Sequence, residues 1–304
     1  MLHPGKDVSA EEIDRLLRGA VDLHCHSGPS VMKRKLDHLQ QIEEAEAAGM
    51  RAILFKDHFH AVGPVLDLIR HHRPPSELAL LSGVPLNNAL GGLNPETVAH
   101  GLEQGARLVW MPTLSSSNHM HTAHRYDLAG KLGMHQPEEL SILTSRGQIR
   151  DEVKEILDLI ARHDAVLSGG HLHISEMYPL FDEAIARGVT RRLVAHPTFW
   201  IEANLDDLRE LGRMGVYMEH CACMLVECAS RMFYAEDLRA YADAGGVDYT
   251  ILGSDLGQPN NPNPVAGFRA VIELCFEAGF TSEEARAMTG GNAARLMGLD
   301  PLPA

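Results

Sequence analysis

No stretch of this chain approaches the roughly 20 consecutive apolar residues that cross a bilayer, and the segment Met1 to Gly19 carries several charges in place of an unbroken apolar run. Neither a membrane span nor a secretory leader is expected, and the reading is of a cytoplasmic protein. Basic charge is scarce: 27 Lys and Arg against 41 Asp and Glu leave a net charge of -14. That balance argues against nucleic acid and anionic membranes as partners and in favour of a small molecule. Cysteine is sparse and odd in number. Cys25, Cys221, Cys223, Cys228 and Cys275 sit among apolar neighbours, so reduced, buried thiols are expected in place of a disulfide framework. What the chain has in quantity is histidine, 18 residues, several at the ends of apolar runs.

With 304 residues, 45% of them hydrophobic, the chain can bury a large core. Short apolar runs recur near positions 21, 52, 79, 107, 166, 192, 216 and 250. Helical patterns lie between them. Leu36 to Ala48 has an apolar stripe at Leu39, Ile42 and Ala45, with Asp37 placed as N-cap and Gly49 as stop. Ile149, Val153, Ile156, Leu157 and Ile160 mark another helical face. Eight strands alternating with helices predict an α/β protein, a single-domain (β/α)8 TIM barrel over residues 1–304. A doubly wound open sheet is the alternative. Residues 1–19 are expected to form an N-terminal extension, 112–148 a loop or lid after strand four, and 281–299 terminal helices. The lid's histidines at 119, 121 and 124 are expected to be solvated.

The polar residues fall at strand ends. Strand one ends in His24-Cys25-His26, strand two in Lys56-Asp57-His58, strand five in His171, strand six in His196, strand seven in Glu219 and strand eight in Asp255. Side chains two apart on a strand share a side, so His24 and His26 can grip one metal ion. The C-terminal strand ends are where a barrel assembles its chemistry. On this reading His24, His26 and Asp255 hold one divalent ion, and His171 and His196 hold a second or share the first. His171 is favoured over His173 because Gly169-Gly170 before it permits close backbone approach.

The motifs Asp22-Leu-His24-Cys-His26, His171, His196 and Gly253-Ser-Asp255, with the closing Asn292-Ala-Ala-Arg295-Leu-Met-Gly298, resemble the amidohydrolase superfamily of metal-dependent barrels across nearly the whole chain. Phe55-Lys56-Asp57-His58, Gly170-His171-Leu172 and Ala195-His196-Pro197 are similar to a branch known only as metal-dependent hydrolases, which brings no substrate with it. Members with two metals usually bridge them through a lysine carbamate or glutamate on strand four. Here strand four ends in Trp110-Met111-Pro112-Thr113, so Lys56 on strand two is the candidate bridge, or else pairs with Asp57 or Glu219 or binds an anionic substrate.

The resemblance implies one or two divalent ions, zinc foremost, with manganese or iron as alternatives, and hydrolysis of an amide, cyclic amide, lactone or ester in a small molecule. Asp255 would take the proton of the attacking water, and His58 or His196 would orient the tetrahedral intermediate. Glu219, His60, His173, Thr113 and Arg125 are expected to support the metal ligands or touch the substrate. A decarboxylase or isomerase of a small acid and a non-catalytic ligand-binding barrel are the alternatives; a histidinol-phosphatase-like phosphoesterase would need a histidine two residues after Asp255, where Gly257 stands. A homo-oligomer is compatible with these features.

Overall fold

The computed structural model describes residues 8–125 and 138–299. Eight strands form one sheet in the order β1-β2-β3-β4-β5-β6-β7-β8: β1 (Val21–Cys25), β2 (Ala52–Phe55), β3 (Ala79–Pro85), β4 (Leu108–Trp110), β5 (Val166–Ser168), β6 (Arg191–Ala195), β7 (Tyr217–Cys221) and β8 (Thr250–Gly253). The pairs β1–β2, β3–β4, β4–β5, β5–β6 and β7–β8 are parallel. Every residue of β1, β2, β4, β5 and β8 is buried, as strands covered on both faces require. The helices α1 (Ala10–Leu17), α2 (His38–Ala47), α3 (Gly63–His72), α4 (Pro95–Glu103), α5 (Ser117–Arg125), α6 (Asp151–Arg162), α7 (Ile174–Ala186), α8 (Leu205–Arg213), α9 (Ala222–Leu225), α10 (Ala235–Gly245), α11 (Pro264–Glu277), α12 (Ser282–Arg286) and α13 (Asn292–Met297) fall between and after the strands. This is a (β/α)8 TIM barrel with C-terminal helices. Among the described residues no helix is long and apolar enough to cross a membrane.

The chain packs as two compact units, residues 1–56, 65–81 and 205–304, and residues 57–64 and 82–204. In the first, the loop after β8 returns to the end of β1. Asp255 N donates to His24 O at 2.6 Å and His26 N to Leu256 O at 2.9 Å. Gly257 (φ 126°) makes this possible, since a Cβ there would collide with the carbonyl of His26. The closing motif has a structural reason: buried Asn292 donates from Nδ2 to Thr250 O at 2.7 Å and Val247 O at 2.8 Å, seating α13 on the start of β8. In the second unit Trp110 is fully buried, and only a glycine at 83 leaves room for its ring.

Three expectations need correction. Residues 1–19 are not a bare extension, because Ser9 caps α1 and Ile13, Leu16 and Leu17 are buried; residues 1–7 lie outside the described part. The segment 112–148 contains α5, with residues 126–137 and the side chains of 123–125 outside the described part. His119 on α5 is buried, whereas His121 is exposed: the helix turns one histidine inward and its neighbour two positions on outward. Strand five stops at Ser168, three residues short of His171.

His220 offers a check on this packing. It is buried, stacks on Tyr241 with ring centroids 5.2 Å apart, and burial pushes its pKa down to about 4. The unfolded chain takes up a proton near pH 6.5 that the folded chain refuses, so this residue costs stability progressively as pH falls from about 6.5 to about 4. His220→Phe is expected to flatten that acid loss, by at most about 1.4 kcal/mol per pH unit for one proton, in urea unfolding at pH 7, 6 and 5; parallel curves for both proteins would contradict it.

Candidate metal centre

Alternation along β1 puts Asp22 and His24 on one face. Asp22 Oδ1 accepts from His24 N and from Ser254 N, both at 2.9 Å, while Ser254 Oγ donates to His24 O at 2.8 Å. Burial pushes the Asp22 carboxyl up to about 6 against these bonds. The first and last strands are therefore tied directly beneath the two histidines.

Each histidine has one nitrogen committed. His26 Nδ1 lies 2.8 Å from Lys56 O; a carbonyl only accepts, so Nδ1 carries the proton and Nε2 the lone pair. Burial, and then the charge of Arg34, push the His26 pKa down to about 3, which keeps the ring neutral. His24 Nδ1 lies 2.9 Å from Glu219 Oε2, the arrangement in which a carboxylate fixes a metal-binding imidazole. The two Nε2 atoms face the same carboxylate oxygen, Asp255 Oδ1, at 3.2 Å from His24 and 3.1 Å from His26. Two lone pairs and a carboxylate oxygen gathered this closely require a cation among them. Lys56 Nζ, 2.9 Å from His24 Nε2, supplies a donor in that role, and burial pushes its pKa down while Asp255 and Glu219 oppose the shift. The donor set fits a divalent ion held by His24, His26 and Asp255.

His24, Glu219 and Cys221 bring one ligand atom each within 4.8 Å of one another. This trio lies on the committed side of the ring. Glu219 already bonds Nδ1, and burial pushes the Cys221 thiol well above its usual value, so these two support the ligand His24 in place of binding metal themselves. Glu219 Oε1 is buried with no hydrogen-bond partner among the described residues. Cys223, absent from the sequence-based site, donates to Asp255 Oδ2 at 3.4 Å. The other cysteines are free, and all but Cys228 are buried.

The second unit has its own histidine cluster. His171 Nδ1 lies 2.8 Å from His119 Nδ1, its ring is 4.8 Å from that of His196 and stacks on Trp200 at 5.5 Å and 8°. His58 Nδ1 meets Thr113 Oγ1 at 2.9 Å, and Asn87 braces both by donating to Thr113 Oγ1 and His58 O. His60 pairs with Asp57 at 3.1 Å, and that bond raises its pKa. His173 stands apart from the cluster as the N-cap of α7, its Nδ1 accepting from Ser175 N at 3.2 Å. Arg125 ends α5, and its side chain lies outside the described part. His119, Trp200 and Asn87 escaped the sequence reading. The crowding of histidine after strand four signalled His119, and no pattern in the sequence marked Trp200 or Asn87.

Non-glycine residues at positive φ are rare and concentrate at working sites. Asp255 (φ 48°) and His196 (φ 38°) are two of the four among the described residues. Replacing Glu219 by Gln leaves the shape and removes the charge behind His24. Metal affinity should fall about 10- to 100-fold, read by competition with a chelator; unchanged affinity would remove Glu219 from the centre.

Solved structures share this fold. An amidohydrolase from Pseudomonas aeruginosa is 12% identical with TM-score 0.65, over 95% of this chain and 98% of its own. An amidohydrolase from Burkholderia multivorans is 14% identical with TM-score 0.58, over 92% and 99%. A 2,6-dihydroxybenzoate decarboxylase from Rhizobium is 12% identical with TM-score 0.56, over 93% and 100%. At these identities the likeness is one of fold, and it is the fold that the sequence resemblance implied. No curated protein matches the chain. A family model, described as a family of unknown function, DUF6282, matches residues 19–219, more than half of the sequence, and the chain therefore belongs to the DUF6282 family.

Proposed function

We propose that this protein is a metal-dependent hydrolase that cleaves an amide, cyclic amide, lactone or ester bond of a small molecule in the cytoplasm. The observation that carries the reading is the convergence of His24 Nε2 and His26 Nε2 on Asp255 Oδ1, with each ring's other nitrogen committed to Glu219 or to the Lys56 carbonyl. His24, His26 and Asp255 would hold a divalent ion, zinc foremost, which would lower the pKa of a bound water towards about 7 and polarise the scissile carbonyl. Asp255 accepts the proton of the attacking water and returns it to the leaving group. Cys223 holds the other oxygen of that carboxylate. His58, braced by Thr113 and Asn87, orients the intermediate.

Lys56 has two states in this reading. As an ammonium it donates to the Nε2 of His24. Burial favours the neutral amine, which can add carbon dioxide with loss of a proton and become an anionic ligand. His171 and His196 are the second unit's imidazole ligand pair, with His119 bonding the Nδ1 of His171. Decarboxylation of a small acid is the second reading, supported by the decarboxylase among the structures of the same fold.

Asp255→Asn keeps the size of the side chain and removes the proton acceptor. Turnover of an amide and lactone panel by metal-loaded enzyme is expected to fall by about 10²- to 10⁴-fold with the circular dichroism spectrum unchanged. Near-normal turnover would exclude the role. Run in oxygen-18 water, the wild-type reaction should place solvent oxygen in the product, and carbon dioxide release without it would select decarboxylation.

A further inference from the structure

The loop joining β1 to α2 carries Met32-Lys33-Arg34-Lys35, the sole run of three consecutive basic residues in a chain of net charge -14. Chance placement of such a run would leave it on any surface. Instead it begins seven residues after His26, on the loop that leaves the strand bearing both candidate ligands. The loop curls around a cleft of about 490 Å³ lined by Gly28, Ser30, Lys33, Arg34, Lys35 and Asp37, among others. The one carboxylate there, Asp37, is engaged as the N-cap of α2, accepting from Gln40 N at 2.8 Å.

The same loop is braced against the one that carries Asp255. Lys35 N donates to Gly257 O at 2.9 Å, and Lys35 Nζ donates to Asn261 O at 2.8 Å. Gly257 is two residues past Asp255, so these bonds fix the basic run beside the candidate metal centre. Arg34 is half-buried, with Nη2 against Met32 Sδ at 3.7 Å. Gly257, to which the run is bonded, is itself packed against the carbonyl of His26. A guanidinium held in a partly desolvated position beside a catalytic centre suits a planar or tetrahedral oxyanion, which it binds in two-pronged fashion.

We propose that the β1–α2 loop is the substrate's anion subsite: Arg34, with Lys33 at the rim, binds a carboxylate or phosphate of the substrate in the cleft of the loop that leaves His26, so the substrate is a small acid. The proposal rests on the hydrolase reading for its location and deepens it by naming a substrate class. Lys35 acts as the brace, since both its backbone and its ammonium are taken up by the neighbouring loop.

The test is titration calorimetry at low ionic strength on the metal-loaded full chain, with malonate, the uncharged malonamide and inorganic phosphate as probes. Malonate or phosphate is expected to bind the wild type and malonamide not. Arg34→Gln is expected to weaken anion binding at least about tenfold, the loss of one desolvated ion pair. Lys33→Glu changes only an exposed residue and is expected to weaken it as well, so the test holds even where Arg34→Gln fails to fold. Tighter malonate assigns the substrate group as carboxylate, and tighter phosphate as phosphoryl. Failure of both anions to bind the wild type, or equal binding by the wild type and a folded variant, would overturn the proposal. Metal content of the same samples separates the two readings: metal without anion binding removes the subsite and leaves the hydrolase, whereas anion binding without metal does the reverse.

Discussion

The stitching of the β8 loop to the end of β1 is the constraint on which the candidate centre depends. Three main-chain features hold it: Asp255 N on His24 O, His26 N on Leu256 O, and the absence of a side chain at Gly257. Asp22, buried beneath, ties the same two strands through Ser254. Residues some 230 positions apart in the sequence are thereby brought within hydrogen-bond distance. The positive φ of Asp255 falls in the same turn.

Around this seam the electrostatics follow from burial. Burial keeps His26 neutral and pushes Lys56 towards its free amine, and both stand against a carboxylate oxygen shared between two imidazoles. Such clusters are characteristic of working sites. Glu219 lies one layer further out. It is buried with the ring it supports, so its charge is screened little by solvent and acts on His24 nearly undiluted.

The parts legible in the sequence were those written by local chemistry. Apolar runs marked all eight strands, six of them closely preceded by a glycine, and polar residues at the ends of several runs singled out His24, His26, Lys56, His196 and Asp255, since polar atoms at the end of a buried strand need a reason to be there. The closing Asn292 motif was readable as a motif, though its purpose, two bonds into the start of β8, was not. His119 was misread because α5 has no apolar stripe of its own: Ser117, Asn118, His121 and Thr122 mask its periodicity, and only Trp200 and His171 packed against it reveal which face is inward. Cys223 was placed correctly as a buried thiol, but its bond to Asp255 joins two separate strand ends and no spacing in the chain encodes it.

The main-chain nature of the seam has a consequence for how such a protein diversifies. Because backbone atoms and a glycine position the strand ends, the side chains that project from them are free to change without undoing the closure. A scaffold wired in this way separates its architecture from its reactivity, so a lineage can exchange one donor atom or one loop charge and inherit the rest intact. It is a physical basis on which hydrolases and a decarboxylase can share one ring of strands.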